Sequence, residues 1–596
     1  MFKAIVRFLA ILGALWLIGL AIVLVAVIGA KGRVPSKTIL EANFEQTFLE
    51  DAPATPTAQL MLTEKQTLRD VVDAIDRGAS DDRVVGMIAR IGAAPMGMAQ
   101  TQEIRDAIQR FRAHKKFAVA YAETFGEFGP GNSAYYLATA FDHIYLQPSG
   151  DVGLTGIIME SPFIKGTLSK LGMTFHGDHR YEYKAALNFY TESKYTAAQK
   201  EEVTAIMTSW FNQMKDGICQ ARQIAPDKFQ AIVDAGPYLG KEAVDAKLVD
   251  AVAYRDEVYG KVKSQAGDGA ELLYLSKYLN HAGRPHDRGK KVALVFGVGG
   301  VTRGKSGYDP VQGSQNMGSD TVAGAIRAAS EDKDVKAILF RVDSPGGSYV
   351  ASDTIWREVV RARQAGKPVI VSMGNLAGSG GYFVAMAADK IVAQPGTITA
   401  SIGVLGGKVL TSGLWDKVGL SWDQVHQGEN ATMFTRTEDY SPAEWGRFQA
   451  WLDRVYVDFT SKVAEGRKLP KEKVLEIAKG RIWSGQDARN LGLVDELGGY
   501  ETALKLAKQA AGVPEDDDVK IVVYPRPKTF LQSVMESLME RRGPDNSDKE
   551  AVGQTLARIL QMVQPVVRQL DAVGIKMKDT DQEDVLRMNP VPVSQR

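Results

Sequence analysis

Cysteine is nearly absent: Cys219 is the only one in 596 residues. That excludes an internal disulfide framework and a cysteine-built metal cluster. A lone thiol is compatible with an oxidising compartment but does not establish one. Net charge is scarce as well. Seventy-two basic residues against seventy-one acidic ones leave +1, so no nucleic-acid-binding surface is advertised. Histidine occurs seven times, at 114, 143, 176, 179, 281, 286 and 426, which leaves few candidates for an imidazole base or a metal site. The bulk is ordinary, with 45% hydrophobic and 24% charged residues, and this excludes wholesale disorder and collagen-like repeats. At ~150 residues per domain the length suggests three to four domains, although α/β units reach ~250.

One long hydrophobic run is present. From Phe8 to Ala30 there are 23 uncharged, mostly apolar residues. As a helix they would extend about 35 Å, enough for a ~30 Å hydrocarbon core. A cleavable leader has an apolar stretch of only ~7–15 residues, so residues 8–30 are expected to form an uncleaved transmembrane signal anchor. Lys3 and Arg7 precede the run and Lys31 and Arg33 follow it, so charge bias favours an N-in orientation only weakly.

Behind the anchor the chain echoes itself across about 247 positions. Ala140-Phe-Asp-His-Ile-Tyr-Leu-Gln-Pro148 parallels Ala387-Ala-Asp-Lys-Ile-Val-Ala-Gln-Pro395. Gly240-Lys-Glu-Ala243 and Leu248-Val-Asp250 parallel Gly485-Gln-Asp-Ala488 and Leu493-Val-Asp495. Such ordered blocks point to a tandem duplication. Each half alternates short apolar runs with amphipathic stretches. Val335–Val342 and Pro368–Met373 read as strands, Ala351–Gln364 as the helix between them, and the alternation predicts parallel sheets with crossover helices. The expected layout is residues 38–279, a turn-rich linker at 280–291, residues 292–525, and an extension at 526–596 with loop-like ends around an apolar helical stretch at about 552–573.

Chemistry-bearing residues concentrate in the second half. Asp343-Ser-Pro-Gly-Gly-Ser348 and Gly378-Ser-Gly-Gly-Tyr382 both follow predicted strands, where the sites of parallel α/β sheets collect. Paired glycines let a backbone approach a substrate and aim peptide N–H groups at it. Ser379 is therefore a candidate acyl-transfer nucleophile, with the amides of Gly346, Gly347 and Gly380 as a candidate oxyanion hole. The pattern G-x-S-x-G is not met, because position 377 is alanine. Either run alone reads more readily as a turn. For a base, His426 is the one histidine in the same half as Ser379. His176 and His179 resemble a metal pair but lack a third ligand. Lys184, within Tyr181-Glu-Tyr-Lys-Ala-Ala-Leu-Asn-Phe-Tyr190, has apolar and aromatic surroundings that disfavour its charged form. A snorkelling surface lysine has the same local sequence.

The anchor, the duplicated halves, Asp343-Ser-Pro-Gly-Gly347, Gly378-Ser-Gly-Gly-Tyr382 and Tyr183-Lys-Ala-Ala186 together resemble the long, tandem-domain type of signal peptide peptidase A (protease IV). The resemblance spans about residues 8–525. It implies a Clp protease/crotonase-like fold in both halves and a serine endopeptidase with a Ser/Lys dyad, without metal or cofactor. It further implies apolar signal-peptide substrates, a homotetramer, and an inner-membrane location with the catalytic domains on the periplasmic side. Carried across, the nucleophile is Ser379, the base Lys184, the lysine's hydroxyl partner Ser401, and the oxyanion donors Gly347 and Gly380, with Gly346 as the other member of the pair. Leu376, Tyr382, Val404 and Leu405 are expected near the substrate. In the repeat, Ser379 falls opposite Asn132, beside Ser133, and Lys184 near Ala431. Each half thus keeps what the other has lost, the signature of one composite site. A crotonase-type acyl-CoA enzyme and a degenerate membrane scaffold are the competing readings. The first has no use for Ser379, and the second none for Ser379, Lys184 and Ser401 together.

Overall fold

The computed structural model describes residues 32–52, 65–92, 95–309, 314–515 and 517–526. The expected anchor at 8–30 and nearly all of the 526–596 extension lie outside them. Among the described residues no helix is long and apolar enough to cross a membrane.

Two parallel sheets organise the chain. The first runs in the order Ala251–Val252, His143–Leu146, Phe117–Ala122, Val84–Ile91, Thr38–Phe44, Glu271–Tyr274. Every neighbouring pair is parallel. The second repeats that path with Glu496–Leu497, Lys390–Ala393, Val369–Gly378, Val335–Ser344, Lys290–Val298 and Val519–Tyr524. The pairs along that path are parallel too; the same sheet adds Ile398–Ala400 and Ile482–Ser484, which pair antiparallel to each other. Helices such as Met98–Ala113 and Tyr349–Gln364 make the crossovers. Their apolar faces cover strands that are themselves buried almost throughout, as parallel strands require.

The repeat seen in the sequence is also a repeat of individual bonds. Tyr135 Oη donates to the Leu248 carbonyl at 2.7 Å, and Tyr382 Oη to the Leu493 carbonyl at 2.9 Å. The Ile144 amide donates to Asp250 at 2.7 Å, and the Ile391 amide to Asp495 at 2.8 Å. Arg222 pairs with Asp250 at 3.1 Å, Arg467 with Asp495 at 2.7 Å. These pairs place Asn132, three residues before Tyr135, at the position of Ser379, three residues before Tyr382.

The two halves are joined through a buried charge cluster. Arg341, with no exposed surface, carries Glu50 and Glu103 of the first half at 3.0 Å each and stacks over Tyr500, 4.5 Å to the ring centroid. Glu103 also accepts the Tyr500 amide at 2.6 Å, and Gln100 donates to Glu50 at 2.9 Å. A buried cation of this kind persists only fully paired; losing a partner costs ~3–5 kcal/mol.

Element limits shift by a few residues from the sequence reading. The expected linker at 280–291 is shorter, because the helix Leu275–Ala282 runs into it and the strand Lys290–Val298 takes its end. What remains is pinned by Arg284 on Asp73 at 2.6 Å and His286 on Asp518 at 3.0 Å.

Candidate active site

The site begins where the Val369–Gly378 strand ends. Its last residues pair with a short strand, Leu376 with Ile398 and Gly378 with Ala400. The next amide, that of Ser379, donates to the Ala400 carbonyl at 2.8 Å. The helix Gly380–Ala385 then starts at once, so the chain must reverse within one residue. Ser379 absorbs the turn with φ +53°, and Ala400 and Ser401 opposite it have φ +67° and +49°. Non-glycine residues held in such conformations cost on the order of 1–3 kcal/mol each and persist only where surrounding contacts enforce them. Here the enforcing contacts are the strand pairing and the Ser401 amide, which donates to the Arg481 carbonyl at 2.9 Å.

Lys184 reaches this corner from the first half by strand pairing. Thr174–His179 runs antiparallel to Leu405–Leu410, with His179 opposite Leu405. Going forward from His179 therefore means going backward from Leu405, towards Ser401. The Arg180 amide continues the ladder to the Val404 carbonyl at 2.9 Å, and the Tyr183 amide bonds the Lys479 carbonyl at 3.2 Å. Lys184 Nζ then donates to both the carbonyl and Oγ of Ser401, each at 2.8 Å. Its side chain is 5% exposed. Loss of water pushes its ammonium down from 10.5 to about 8, against the opposing pull of the Glu202 charge. The sequence alternative of a snorkelling surface lysine is thereby set aside. Gly480, φ +81°, closes one side, since a Cβ there would lie 2.5 Å from the Lys184 Cβ.

Facing Ser379 are the glycines after the Val335–Ser344 strand. A Cβ on Gly346 would stand 2.8 Å from the Ser379 Cβ and 2.6 Å from the Gly380 nitrogen, and one on Gly380 would stand 3.1 Å from the Gly347 nitrogen. Only glycine permits this approach. The Gly346 amide is turned inward and donates to Ser344 Oγ at 3.2 Å. The amides of Gly347 and Gly380 have no acceptor among the described residues. Two adjacent free N–H groups beside a serine form a cradle for a developing negative oxygen. Of the three glycine donors read from the sequence, Gly346 is the one its own bond removes.

Other candidates are spent elsewhere. Tyr382, expected near substrate, is wholly buried with its hydroxyl on the Leu493 carbonyl. It anchors the helix behind Ser379 from within the core. His426 lies on an exposed stretch that includes residues 419–430. His176 is taken by Asp439 at 2.5 Å and stacks on Trp445, and His179 bonds the Tyr181 carbonyl at 2.7 Å. In the first half, Asn132 accepts the Thr155 and Gly156 amides at 3.1 and 3.2 Å and donates to the Gly156 carbonyl at 2.7 Å. Its side chain fills the turn that Ser379 leaves open.

Sequence reading missed the residues that hold the lysine's surroundings: Glu201, Glu202, Gly480 and Arg481. A signal existed for the glutamates. They stand in the first turns of the helix Ala197–Arg222, capped by Thr196, shortly after the lysine motif.

Comparison with known proteins identifies the family. The model of peptidase family S49 matches residues 110–268 and 361–514. The chain belongs to peptidase family S49. It is 30% identical to the chloroplastic serine protease SPPA of Arabidopsis thaliana over 78% of this chain and 68% of that one. It is 33% identical to protease 4 of Salmonella typhi over 80% of this chain and 76% of that one. Among solved structures, a ClpP1 mutant from Listeria monocytogenes matches 36% of this chain and 94% of its own, with 16% identity and a TM-score of 0.24. Membership of the family makes the chain a serine peptidase, as the motif resemblance implied.

Proposed function

We propose that the protein is a membrane-anchored endopeptidase with a Ser379/Lys184 dyad that degrades signal peptides after their release from precursors. The observation that carries the reading is a lysine buried beside the serine turn, with both hydrogen-bond acceptors of its ammonium on Ser401. Such a lysine can lose its proton near neutral pH and serve as a base. In the proposed sequence, neutral Lys184 accepts the Ser379 hydroxyl proton as Oγ attacks the scissile carbonyl. The tetrahedral oxygen is held by the Gly347 and Gly380 amides. Lys184 then returns the proton to the leaving amine, and a water, deprotonated by the same lysine, releases the acyl group. Ser401 orients the lysine throughout.

The same reading takes each half as a Clp protease/crotonase-like unit, supported by the shared strand order of the two sheets. Residues 8–30 are the anchor that would hold the enzyme in the inner membrane with its peptidase halves on the periplasmic side. Apolar peptides, entering as extended strands, are the proposed substrates, and a homotetramer the proposed assembly. The test is hydrolysis of an apolar peptide ester by the full-length protein in detergent, repeated with Ser379→Ala and Lys184→Ala. Both variants are expected to lose activity by ~10³-fold or more; full activity in either refutes the dyad.

A further inference from the structure

A buried carboxylate stands behind the lysine, and nothing in the catalytic sequence above uses it. Glu202 is 3% exposed on the helix Ala197–Arg222. Its Oε2 accepts the Ile482 amide at 3.2 Å. The carbonyl of that same peptide unit, on Arg481, accepts the Ser401 amide at 2.9 Å. Ser401 in turn receives both bonds from Lys184. One peptide group thus bonds Glu202 on one side and the lysine's partner on the other, and it stands beside Gly480, the wall of the lysine's pocket.

We infer that Glu202 is a positioning residue for the general base: its carboxylate fixes the 481–482 peptide that holds Ser401, the hydrogen-bond partner of Lys184. The inference rests on the Ser379/Lys184 reading. Burial keeps the carboxyl of Glu202 itself up, at about 7, against the lowering effects of the Ile482 amide and of the Arg481 and Lys184 charges. Glu202 and Lys184 therefore titrate in neighbouring pH ranges.

The other charged groups nearby are already committed to one another. Glu201 is exposed and pairs with Arg481 at 2.7 Å while accepting the Tyr183 hydroxyl at 2.9 Å. The Arg481 guanidinium lies between the Tyr183 and Trp483 rings, 4.8 and 4.4 Å from their centroids. Glu182 pairs with Lys479 at 3.6 Å. This outer clamp ties the residue preceding Lys184 to the strand bearing Ile482. It leaves Glu202 as the carboxylate whose field acts on the buried ammonium.

Ionised Glu202 favours the ammonium, so removing its charge makes Lys184 easier to deprotonate. Glu202→Gln retains an oxygen for the Ile482 amide and removes only the charge. Glu202→Ala removes both. The measurement is kcat/KM of the full-length protein on an apolar peptide ester across pH 5.5–10, with thermal melts to confirm folding.

The unmutated enzyme should show an activity limb rising through about pH 8, absent in Lys184→Ala. In Glu202→Gln that limb should move down by ~0.5 pH unit or more, with the plateau rate largely kept. In Glu202→Ala the plateau should fall by ~10-fold or more as Ser401 loses its support. If the unmutated protein lacks a Lys184-dependent limb, the dyad reading itself fails. If the limb is present but stays in place in folded Glu202→Gln, or moves upward, the role given to Glu202 is overturned. An unchanged plateau in folded Glu202→Ala likewise overturns its support of Ser401.

Discussion

Lys184→Met should abolish activity and, at neutral pH, stabilise the protein. A fall of the lysine from 10.5 to about 8 means that the folded state resists the charged form, at ~1.4 kcal/mol per pH unit, by ~3 kcal/mol. Methionine has a similar length and carries no charge. It forfeits the two bonds to Ser401, worth ~1 kcal/mol each. The net gain at pH 7 is therefore ~1 kcal/mol, or a rise of ~2–4 °C in melting temperature.

The pH dependence distinguishes this cause from generic repacking. Below about pH 8 the lysine is protonated both folded and unfolded, and the full burial penalty stands. Between about 8 and 10.5 the unfolded chain keeps the proton that the folded protein has lost, so stability of the unmutated protein rises with pH. By pH 10.5 the penalty is gone and only the lost hydrogen bonds distinguish the two proteins, leaving the variant ~2 kcal/mol weaker. Thermal melts of both proteins from pH 6.5 to 10.5 should therefore cross. A variant less stable at every pH, with a constant gap, would refute the claim that Lys184 is held against its charge.

Two further perturbations separate chemistry from scaffold. Asn132→Ala orphans the Thr155 and Gly156 amides and the Gly156 carbonyl; it should cost ~2–4 kcal/mol in melts while leaving kcat of the folded protein within about twofold, and a large kcat loss would show that the first-half turn takes part in catalysis. Gly347→Ala puts a Cβ 2.3 Å from the Val301 carbonyl oxygen at φ +151°, which must displace the amide proposed to hold the oxyanion; kcat should fall ~10²-fold or more with KM little changed, and a loss under threefold in a folded variant would remove Gly347 from the site.

The sequence carried the parts of this account that repeat or punctuate. The duplication was visible because Asp250 and Asp495, or Tyr135 and Tyr382, must stay at fixed offsets to close the same bonds in each half. The glycine runs at 346–347 and 378–381 were legible because close backbone approach leaves no room for another residue. Lys184 could be suspected from its apolar neighbours, but its partner depended on a strand pairing 226 positions apart, His179 with Leu405, which no local pattern encodes. Gly346 and Gly347 are equivalent in sequence; a 3.2 Å bond to Ser344 separates them. Tyr382 illustrates the opposite failure. An aromatic beside a serine turn reads as a pocket wall, but its hydroxyl finds a carbonyl 111 residues away and the ring is carried into the core. Glu202 escaped notice because a glutamate near a helix start is ordinarily a solvated or capping residue, and only the packed helix shows which face it takes.

The central claim, that Ser379 is the nucleophile and Lys184 its base, is tested most directly by covalent trapping. The full-length protein is treated with a fluorophosphonate probe across pH 6–10, and the adduct is located by peptide mass spectrometry. A single adduct is expected on Ser379, formed at a rate that rises through about pH 8, and at least ~10²-fold slower in Lys184→Met. An adduct on another residue, or labelling of Ser379 at an undiminished rate in Lys184→Met, would contradict the claim.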